Sequence, residues 1–170
     1  MNFKSALILT CAMVTAYLNL AAAEEALPTP DCKLSSIDQA KQINLRQYRG
    51  KVVYLDFWAS WCGPCLDSFP FMNKMENQLK DKGLVVLAVN LDENLEDGKH
   101  FLDQHPVDFA VAVDSEQECA KQFQLKAMPS SYVIDRNGQI RTTHTGFRTG
   151  DADRFRNLVE DILMETSVKP

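Results

Sequence analysis

The chain has 170 residues, of which 45% are hydrophobic, so it is long enough to bury one core of ordinary size and needs no second domain. Its formal net charge is −5 and no basic cluster interrupts the acidic balance, so nucleic acid and anionic membrane surfaces are excluded as expected partners. The sequence contains no internal repeat and no low-complexity segment.

Residues 1–23 have the three parts of a secretory signal peptide. One charge, Lys4, precedes an apolar stretch from Ala6 to Leu20, and three alanines end at Ala23. This pattern predicts cleavage after about Ala23 and a periplasmic location. The alternative is a retained membrane anchor, which the short and interrupted apolar stretch disfavours, because spanning a bilayer takes roughly 20 apolar residues.

The rest of the chain is predicted to be a single domain. Residues 24–31, which contain Pro28 and Pro30, predict a flexible lead-in. The domain is expected to span 32–165 and to be followed by a short tail over 166–170.

The domain is expected to begin with a small β extension. Cys32–Leu34 and Lys41–Asn44 predict two short strands joined by a polar turn. Leu45–Arg49 predicts a brief helical turn that Gly50 closes.

An unbroken apolar run from Val52 to Leu55 predicts a central parallel strand covered on both faces. Asp56 interrupts this run. A carboxylate buried at such a position has a raised pKa and can exchange protons near neutral pH. The alternative is an aspartate at a strand end whose side chain reaches water.

Two cysteines follow the predicted strand in the stretch Trp61-Cys62-Gly63-Pro64-Cys65, which leads into a segment of helical periodicity. Free N–H groups and the dipole at a helix start favour a negative charge, so Cys62 should ionise more readily than a free cysteine. One helical turn brings Cys65 close enough for a disulfide, and Pro64 is tolerated in the first turn. The spacing therefore predicts a reversible dithiol–disulfide centre.

Two other interpretations of the pair are half of a zinc site and two unrelated buried cysteines. A zinc site would require a second pair of ligands at metal-binding spacing, and the sequence has no such pair. No metal and no cofactor are therefore expected.

Downstream, alternating strands and helices predict an α/β sheet with helices on both faces. The first helix is expected from Cys62 to about Lys82, with a kink at Pro70 and a stop at Gly83. The other predicted elements are strands at Leu84–Asn90, Phe109–Val113, Tyr132–Ile134 and Gln139–Thr145, helices at Glu96–His105 and from a capping box at Ser115–Glu118 through Phe123, and a final helix with an apolar face from Phe155 to Leu163.

The stretch Asp56–Cys65 resembles the active site of the thioredoxin superfamily almost residue for residue, and the resemblance extends from about Pro30 to Leu163. An exported chain with Lys51-Val52-Val53 before the site and an added strand–helix unit after it is more similar to the TlpA/ResA-like branch. The resemblance implies a thioredoxin-like fold, in which helices flank a central mixed β-sheet with an N-terminal β extension and a strand–helix insertion.

The position of the pair at a helix start indicates a mechanism of disulfide exchange. Cys62 is the candidate nucleophile because it lies nearer the helix start and is expected to be exposed, whereas Cys65 is expected to point inward. The Cys62 thiolate would attack a substrate disulfide, and Cys65 would then attack Cys62 and release the substrate. In this family the matching aspartate assists deprotonation of the second cysteine, which gives that role to Asp56.

A substrate-binding surface is implied at Trp61, Gly63, Pro64, Met128 and Pro129. From the residues alone, Pro129 could simply begin a strand, where its missing donor does no harm. Thioredoxin-like proteins instead place a cis-proline here, and the backbone before it pairs with an extended polypeptide.

Two positions depart from the family pattern. TlpA/ResA-like proteins that serve cytochrome maturation commonly have a glutamate three residues after the second cysteine, and this chain has Ser68. The thioredoxin lysine near the buried aspartate corresponds to Ala88. The first departure weakens a cytochrome role, and the second leaves Asp56 without a nearby cation.

The expected function is that of a monomeric periplasmic reductase of protein disulfides, because Gly63-Pro64 resembles the reducing thioredoxin pair. An exported reductase needs an electron donor, and the family suggests a membrane thiol reductant of the DsbD kind. Alternatives are a dithiol oxidant, a copper-binding metallochaperone that uses Cys62, Cys65 and a histidine such as His144, and a non-catalytic scaffold. A peroxidase is disfavoured because the sequence lacks a peroxidatic-cysteine motif.

Cys32 and Cys119 are the two remaining cysteines after the predicted cleavage site. Their even number and the oxidising compartment make a structural disulfide one interpretation. The other is two buried thiols that pack as small hydrophobic groups.

Overall fold

In the computed structural model, which describes residues 27–148 and 150–165, a mixed β-sheet is flanked by helices. The strands are β1 (Leu27–Pro28), β2 (Lys33–Ser36), β3 (Gln42–Asn44), β4 (Val52–Trp58), β5 (Leu84–Asn90), β6 (Ala110–Val113), β7 (Ser130–Ile134) and β8 (Gln139–Thr145), and the helices are α1 (Gly63–Leu79), α2 (Leu95–Gln104), α3 (Glu118–Gln122) and α4 (Asp151–Met164). The predicted signal peptide and the predicted tail lie outside the described residues.

The sheet has the order β1-β8-β7-β4-β5-β6-β2-β3. Strands β4, β5 and β6 are parallel to one another, whereas β7 and β8 on one side and β2 and β3 on the other are antiparallel. The β2–β3 hairpin is the predicted N-terminal β extension, and the predicted strand–helix insertion lies between β5 and β7. None of the helices in the described ranges combines the length and apolar character needed to cross a membrane.

Strand β4 is buried along its whole length, which explains its continuous apolar sequence. Successive side chains of a strand point to opposite faces. Tyr54 and Trp58 pack into the core that α1 and α4 cover, whereas Leu55 and Phe57 pack into the core that α3 covers. By this alternation Asp56 faces the α1 side, where the paired cysteines also lie.

Helix α1 ends earlier than predicted. Its last α-helical residue is Leu79, and a 3-10 turn at Lys80–Lys82 leads to Gly83, which has a positive φ of 103°. Glycine adopts this left-handed conformation without a steric penalty, so the predicted stop is at the right residue although the final turn is tighter than an α-helix.

The predicted capping box at Ser115–Glu118 is wrong. Asp114, which directly follows β6, accepts hydrogen bonds from the backbone N–H groups of Cys119 (3.2 Å) and Ala120 (2.8 Å). A buried carboxylate therefore satisfies the first N–H groups of α3 in place of the Ser115 hydroxyl.

The predicted flexible lead-in over 24–31 is also wrong at Leu27–Thr29. Leu27 and Pro28 form the edge strand β1 and pair with Ile140 and Gln139 of β8. Thr29 continues the contact, because its N–H and hydroxyl both donate to the carbonyl of Gly138 (3.0 and 2.8 Å). The backbone groups on the open edge of β8 provide these partners, so the sheet begins before the predicted boundary at residue 32.

Cys32 and Cys119 form a disulfide with a Cα–Cα distance of 5.1 Å. Both residues are buried, with exposed fractions of 0% and 1%. The bond joins the residue before β2 to α3 and closes a loop with a sequence separation of 87 residues. It therefore ties the N-terminal β extension to the body of the domain.

Loss of this disulfide should lower the free energy of unfolding by up to about 4–5 kcal/mol, because the cross-link restricts the unfolded chain over a long loop. The test is urea unfolding, with and without reductant, of protein that lacks residues 1–23 and has the changes Cys62→Ser and Cys65→Ser. In this background only the Cys32–Cys119 bond can respond to reductant.

The control adds Cys32→Ala and Cys119→Ala to the same background, and its unfolding midpoint should not respond to reductant. Thiol counting on denatured, oxidised Cys62→Ser/Cys65→Ser protein provides a direct check. Two free thiols per chain would rule out the bond.

Candidate active site

The cysteine pair lies where β4 gives way to α1. Cys62 is the N-cap residue of α1 and Cys65 is in its first turn, and the two form a disulfide with a Cα–Cα distance of 5.4 Å. A thiolate at the N-cap position faces the unpaired N–H groups of the first helical turn, and these favour its negative charge. The local geometry is therefore that of a readily ionised cysteine with a partner one turn away.

Cys62 is more accessible than Cys65, but the difference is small. Their exposed fractions are 6% and 0%, so the expectation of an exposed Cys62 is wrong for the disulfide form. The bond draws both side chains into the core cluster on the α1 side. Accessibility at this site comes instead from the neighbouring residues Trp61, Gly63 and Pro64, which are all exposed.

The exposed fraction of Trp61 is 72%. This is unusual, because tryptophan side chains are on average largely buried. Gly63 adds to this open surface, since none of the described residues has an atom within 4 Å of the position that a Cβ would occupy. Trp61, Gly63 and Pro64 therefore form an exposed apolar patch next to the disulfide.

Met128 and Pro129 lie between α3 and β7, and the peptide bond that joins them is cis. Met128 is half-buried and packs against both core clusters, including the one that contains the cysteine pair. The Pro129 carbonyl accepts from the N–H of Gly146 at 2.7 Å. Among residues 27–148 and 150–165, no group hydrogen-bonds to the backbone N–H or carbonyl of Met128.

Asp56 is fully buried, which rules out the alternative of a side chain that reaches water. Burial raises the pKa of Asp56 from 3.8 to about 7, and a hydrogen bond from the Ser131 hydroxyl to Oδ1 (2.6 Å) lowers it in part. Oδ2 has no hydrogen-bond partner among the described residues. A carboxyl group in this state can take up or release a proton near neutral pH.

Ala88 and Ser68, the two departures from the family pattern, are both buried near the candidate site. Ala88 lies directly beside Asp56 in the β4–β5 register and is buried, so β5 brings no cation to the carboxyl group. Ser68 is buried in α1 and donates to the Cys65 carbonyl at 2.8 Å, as serines in helices often do with the preceding turn.

A polar network that was not predicted from the sequence holds the start of the site. The carboxylate of Asp92 accepts from the backbone N–H of Ser60 (3.0 Å), from its hydroxyl (2.9 Å) and from the amide of Asn90 (2.7 Å). Asn90 and Asp92 are nearly inaccessible to solvent. Ser60 is two residues before Cys62, so this network fixes the loop that presents the cysteine pair. Two polar residues at the end of the apolar strand β5 were the available sequence signal.

Helix α2 packs against this network at Gly98, which lies next to the Asn90 side chain. A Cβ at Gly98 would lie 2.9 Å from Oδ1 and 3.0 Å from Nδ2 of Asn90. The glycine therefore allows α2 to approach the amide that orients Asp92.

The copper alternative lacks its third ligand in this arrangement. His144 lies 3.3 Å from a carboxylate oxygen of Asp151, and its ring stacks edge-on against Phe155 at 4.7 Å. Within the part of the chain that the structure describes, no three histidine, cysteine, aspartate or glutamate side chains form a group that could hold a metal.

A mixed sheet of this topology, with a cysteine pair at the start of a helix and a buried carboxyl group on the adjoining strand, defines a thioredoxin-like protein. The chain belongs to the Redoxin family, whose model matches residues 23–162.

Similar proteins agree with this placement. The thiol-disulfide oxidoreductase ResA of Bacillus thuringiensis subsp. konkukian is 35% identical over 102 residues, which cover 60% of this chain and 59% of the relative. ResA of Geobacillus thermodenitrificans is 31% identical over 120 residues, covering 71% and 68%. The matched region thus spans less than two thirds of the Bacillus relative.

A crystal structure of a proposed thiol:disulfide interchange protein DsbE from Chlorobium tepidum has a TM-score of 0.79 at 41% identity. The alignment covers 82% of this chain and 98% of that chain. The predicted thioredoxin-like fold and the predicted similarity to ResA-like proteins are confirmed.

The change Gly98→Ala tests the network behind the site. Glycine to alanine within a helix normally stabilises a protein by about 1 kcal/mol. Here the added methyl would collide with Asn90, so we expect a loss of about 1–3 kcal/mol in the free energy of unfolding. Urea unfolding measures the difference.

The control for this change is Gly150→Ala, because no described atom lies within 4 Å of a Cβ at Gly150. That variant should lose less stability than Gly98→Ala, since its cost is only the poorer fit of alanine at the N-cap of α4. A Gly98→Ala protein more stable than the parent would show that Asn90 is free to move away.

The pKa of Asp56 predicts a pH-dependent stability. Between pH 3.8 and about 7 the folded protein holds a proton on Asp56 that the unfolded chain has released, so the free energy of unfolding falls as pH rises through this window. Asp56→Asn removes this fall. The free energy of unfolding of the variant minus that of the parent should therefore rise by roughly 3 kcal/mol from about pH 5 to about pH 8.

Urea unfolding of both oxidised proteins at the two pH values measures this gain, since contributions of other groups cancel in the difference. Asp67→Asn, which changes an exposed aspartate of α1, controls for the substitution itself. A difference between parent and Asp56→Asn that is independent of pH would mean that Asp56 is ionised throughout.

Proposed function

We propose that this protein is a thiol–disulfide oxidoreductase that exchanges disulfides with protein substrates through Cys62 and Cys65. The observation that carries the proposal is the cysteine pair at the start of α1 on the same side of the sheet as the buried carboxyl group of Asp56. Its family membership and the names of its ResA relatives add support.

In the reducing direction, the Cys62 thiolate attacks one sulfur of a substrate disulfide. A mixed disulfide forms, the substrate bond breaks, and the second substrate sulfur leaves as a thiolate that takes a proton from solvent. Cys62 is assigned this role because it lies at the helix N-terminus and is the more accessible member of the pair.

In the second step Cys65 attacks Cys62, and the reduced substrate leaves. Cys65 must lose its proton first, and it has no contact with solvent. We assign the proton to Asp56, because a buried carboxyl group with a pKa of about 7 can accept a proton at working pH and release it later. The enzyme ends with the Cys62–Cys65 disulfide that the structure contains.

The substrate is proposed to be an extended polypeptide that lies against Trp61, Gly63 and Pro64 and pairs with the backbone of Met128 beside Pro129. Support comes from the exposed residues Trp61, Gly63 and Pro64 next to the disulfide and from the backbone groups of Met128, which have no hydrogen-bond partner among the described residues. Strand-like pairing to free backbone groups is a general mode of peptide recognition and is tolerant of sequence. All proposed residues belong to one chain, so a monomer suffices.

We further propose a periplasmic reductase that receives electrons from a membrane thiol reductant of the DsbD kind. The Gly63-Pro64 pair and the signal-peptide pattern of residues 1–23 favour this direction and location. Measuring the reduction potential of Cys62–Cys65 tests the direction. A value near that of thioredoxin, about −270 mV, would support a reductase, and one near that of DsbA, about −120 mV, would support an oxidant.

Single cysteine variants test the proposed roles. Cys62→Ser should abolish the reduction of insulin disulfides, because no accessible nucleophile remains. Cys65→Ser should still attack but should trap the substrate as a mixed disulfide, visible on a non-reducing gel and released by reductant.

Cys32→Ala/Cys119→Ala serves as the control, because it removes a cysteine pair outside the proposed machinery. If Cys62→Ala retains insulin reduction, the assignment of the nucleophile is wrong. If neither the parent nor any variant exchanges disulfides, the non-catalytic alternative holds.

A further inference from the structure

Three buried polar groups form a line across strands β4 and β7. The hydroxyl of Tyr54 donates to Oγ of Ser131 at 2.9 Å, and the Ser131 hydroxyl donates to Oδ1 of Asp56 at 2.6 Å. The exposed fractions of the three residues are 0%, 2% and 0%. Tyr54 and Asp56 point to the same face of β4, and Ser131 is directly opposite Asp56 in the β4–β7 register.

The surroundings of Asp56 make this line important. On β5 its neighbour is the methyl group of Ala88, which carries no charge. Helix α1 contributes the cysteine pair to the core on this side of the sheet. His144 of β8 lies beside Ser131 in the β7–β8 register and is paired with Asp151 of α4. Among the described residues, Ser131 is thus the one hydrogen-bond donor to the Asp56 side chain.

We propose that Ser131, held in place by Tyr54, is a positioning residue that reserves Oδ2 of Asp56 for proton exchange with Cys65. This inference rests on the proposed function, since it assumes that Asp56 accepts the Cys65 proton. The Ser131 hydrogen bond occupies Oδ1, and no group in the described ranges 27–148 and 150–165 hydrogen-bonds to the buried Oδ2. Because the carboxyl group is held in place through Oδ1, the Cys65 proton can be accepted at one defined atom, Oδ2.

The two hydroxyl groups keep their protons throughout. When Cys65 loses its proton, Oδ2 gains it, while Oδ1 continues to accept from Ser131. Burial, and next to it the charge of Asp56, raise the pKa of Tyr54, so the phenol stays a donor at any working pH. Donation into Ser131 polarises its O–H bond toward Asp56, because adjacent hydrogen bonds strengthen one another.

The hydrogen bonds from Tyr54 to Ser131 and from Ser131 to Asp56 also stabilise the charged carboxylate, which has no lysine beside it because that position is Ala88. A hydrogen bond to the charged form of a buried acid stabilises that form and lowers the pKa of the acid. Without the Ser131 donor, Asp56 would hold its proton to higher pH and would be a poorer acceptor for Cys65 near neutrality.

The test is a carbon-13 NMR titration of the Asp56 carboxyl in the oxidised protein, with Asp56→Asn identifying the signal. Ser131→Ala should raise the titration midpoint by about one pH unit or more, which is a tenfold or greater change in proton affinity. Tyr54→Phe should raise it by less, since Ser131 would remain but would be less well ordered. Ser131→Thr, which keeps the hydroxyl, should return the midpoint toward the parent value.

Ser130→Ala is the matched control. Ser130 is the adjacent residue on β7, and its hydroxyl donates to the carbonyl of Ala127 at 2.8 Å, away from Asp56. This variant should leave the Asp56 midpoint unmoved. An Asp56 midpoint that is also unmoved in Ser131→Ala would overturn the inference.

Kinetics then separate the inference from the proposed function. In Ser131→Ala, formation of the mixed disulfide by Cys62 should be unchanged, and its resolution by Cys65 should shift to higher pH. Resolution with the parent pH profile, despite a raised midpoint, would overturn the claim that Oδ2 receives the Cys65 proton. Absence of any disulfide exchange in the parent protein would instead overturn the proposed function.

Discussion

The burial of β4 on both faces is the constraint on which the rest of the structure depends. A strand in this position has no side that reaches water, so a carboxyl group on it loses most of the stabilisation of its charge. A hydrogen-bond donor for this carboxyl group must come from a neighbouring strand. Ser131 on β7 provides one, whereas Ala88 on β5 does not. The same strand ends where the loop to Cys62 begins, so the core and the candidate site share one element.

Local signals in the sequence were sufficient for much of the fold. Strands β5 and β8 have the predicted bounds, because an apolar run or a glycine-containing turn marks their ends over a few residues. The cysteine pair was found for the same reason. Strand β1 was not, since Leu27 pairs with a residue more than 100 positions away. The cap of α3 was misassigned because Asp114, outside the expected spacing, reaches the helix first.

The candidate site was predictable to the same extent and for the same reason. Asp56 could be identified because it breaks an apolar run, and a raised pKa follows from burial alone. Its partner Ser131 lies 75 residues away, and Asp92 lies 32 residues from the Ser60 that it holds. Serines and aspartates at such distances have no pattern of their own, so only the assembled sheet reveals which of them meet.

The two disulfides differ in how closely an attacking thiolate can approach them. Exchange requires a thiolate to approach a sulfur directly, and the Cys32–Cys119 bond has almost no exposed surface through which this could happen. Cys62 keeps an exposed fraction of 6% and is flanked by the exposed residues Trp61, Gly63 and Pro64. In the proposed mechanism, a redox partner can therefore exchange with Cys62–Cys65 while Cys32–Cys119 stays out of its reach. The fold in this way insulates its own cross-link from the chemistry proposed at its surface.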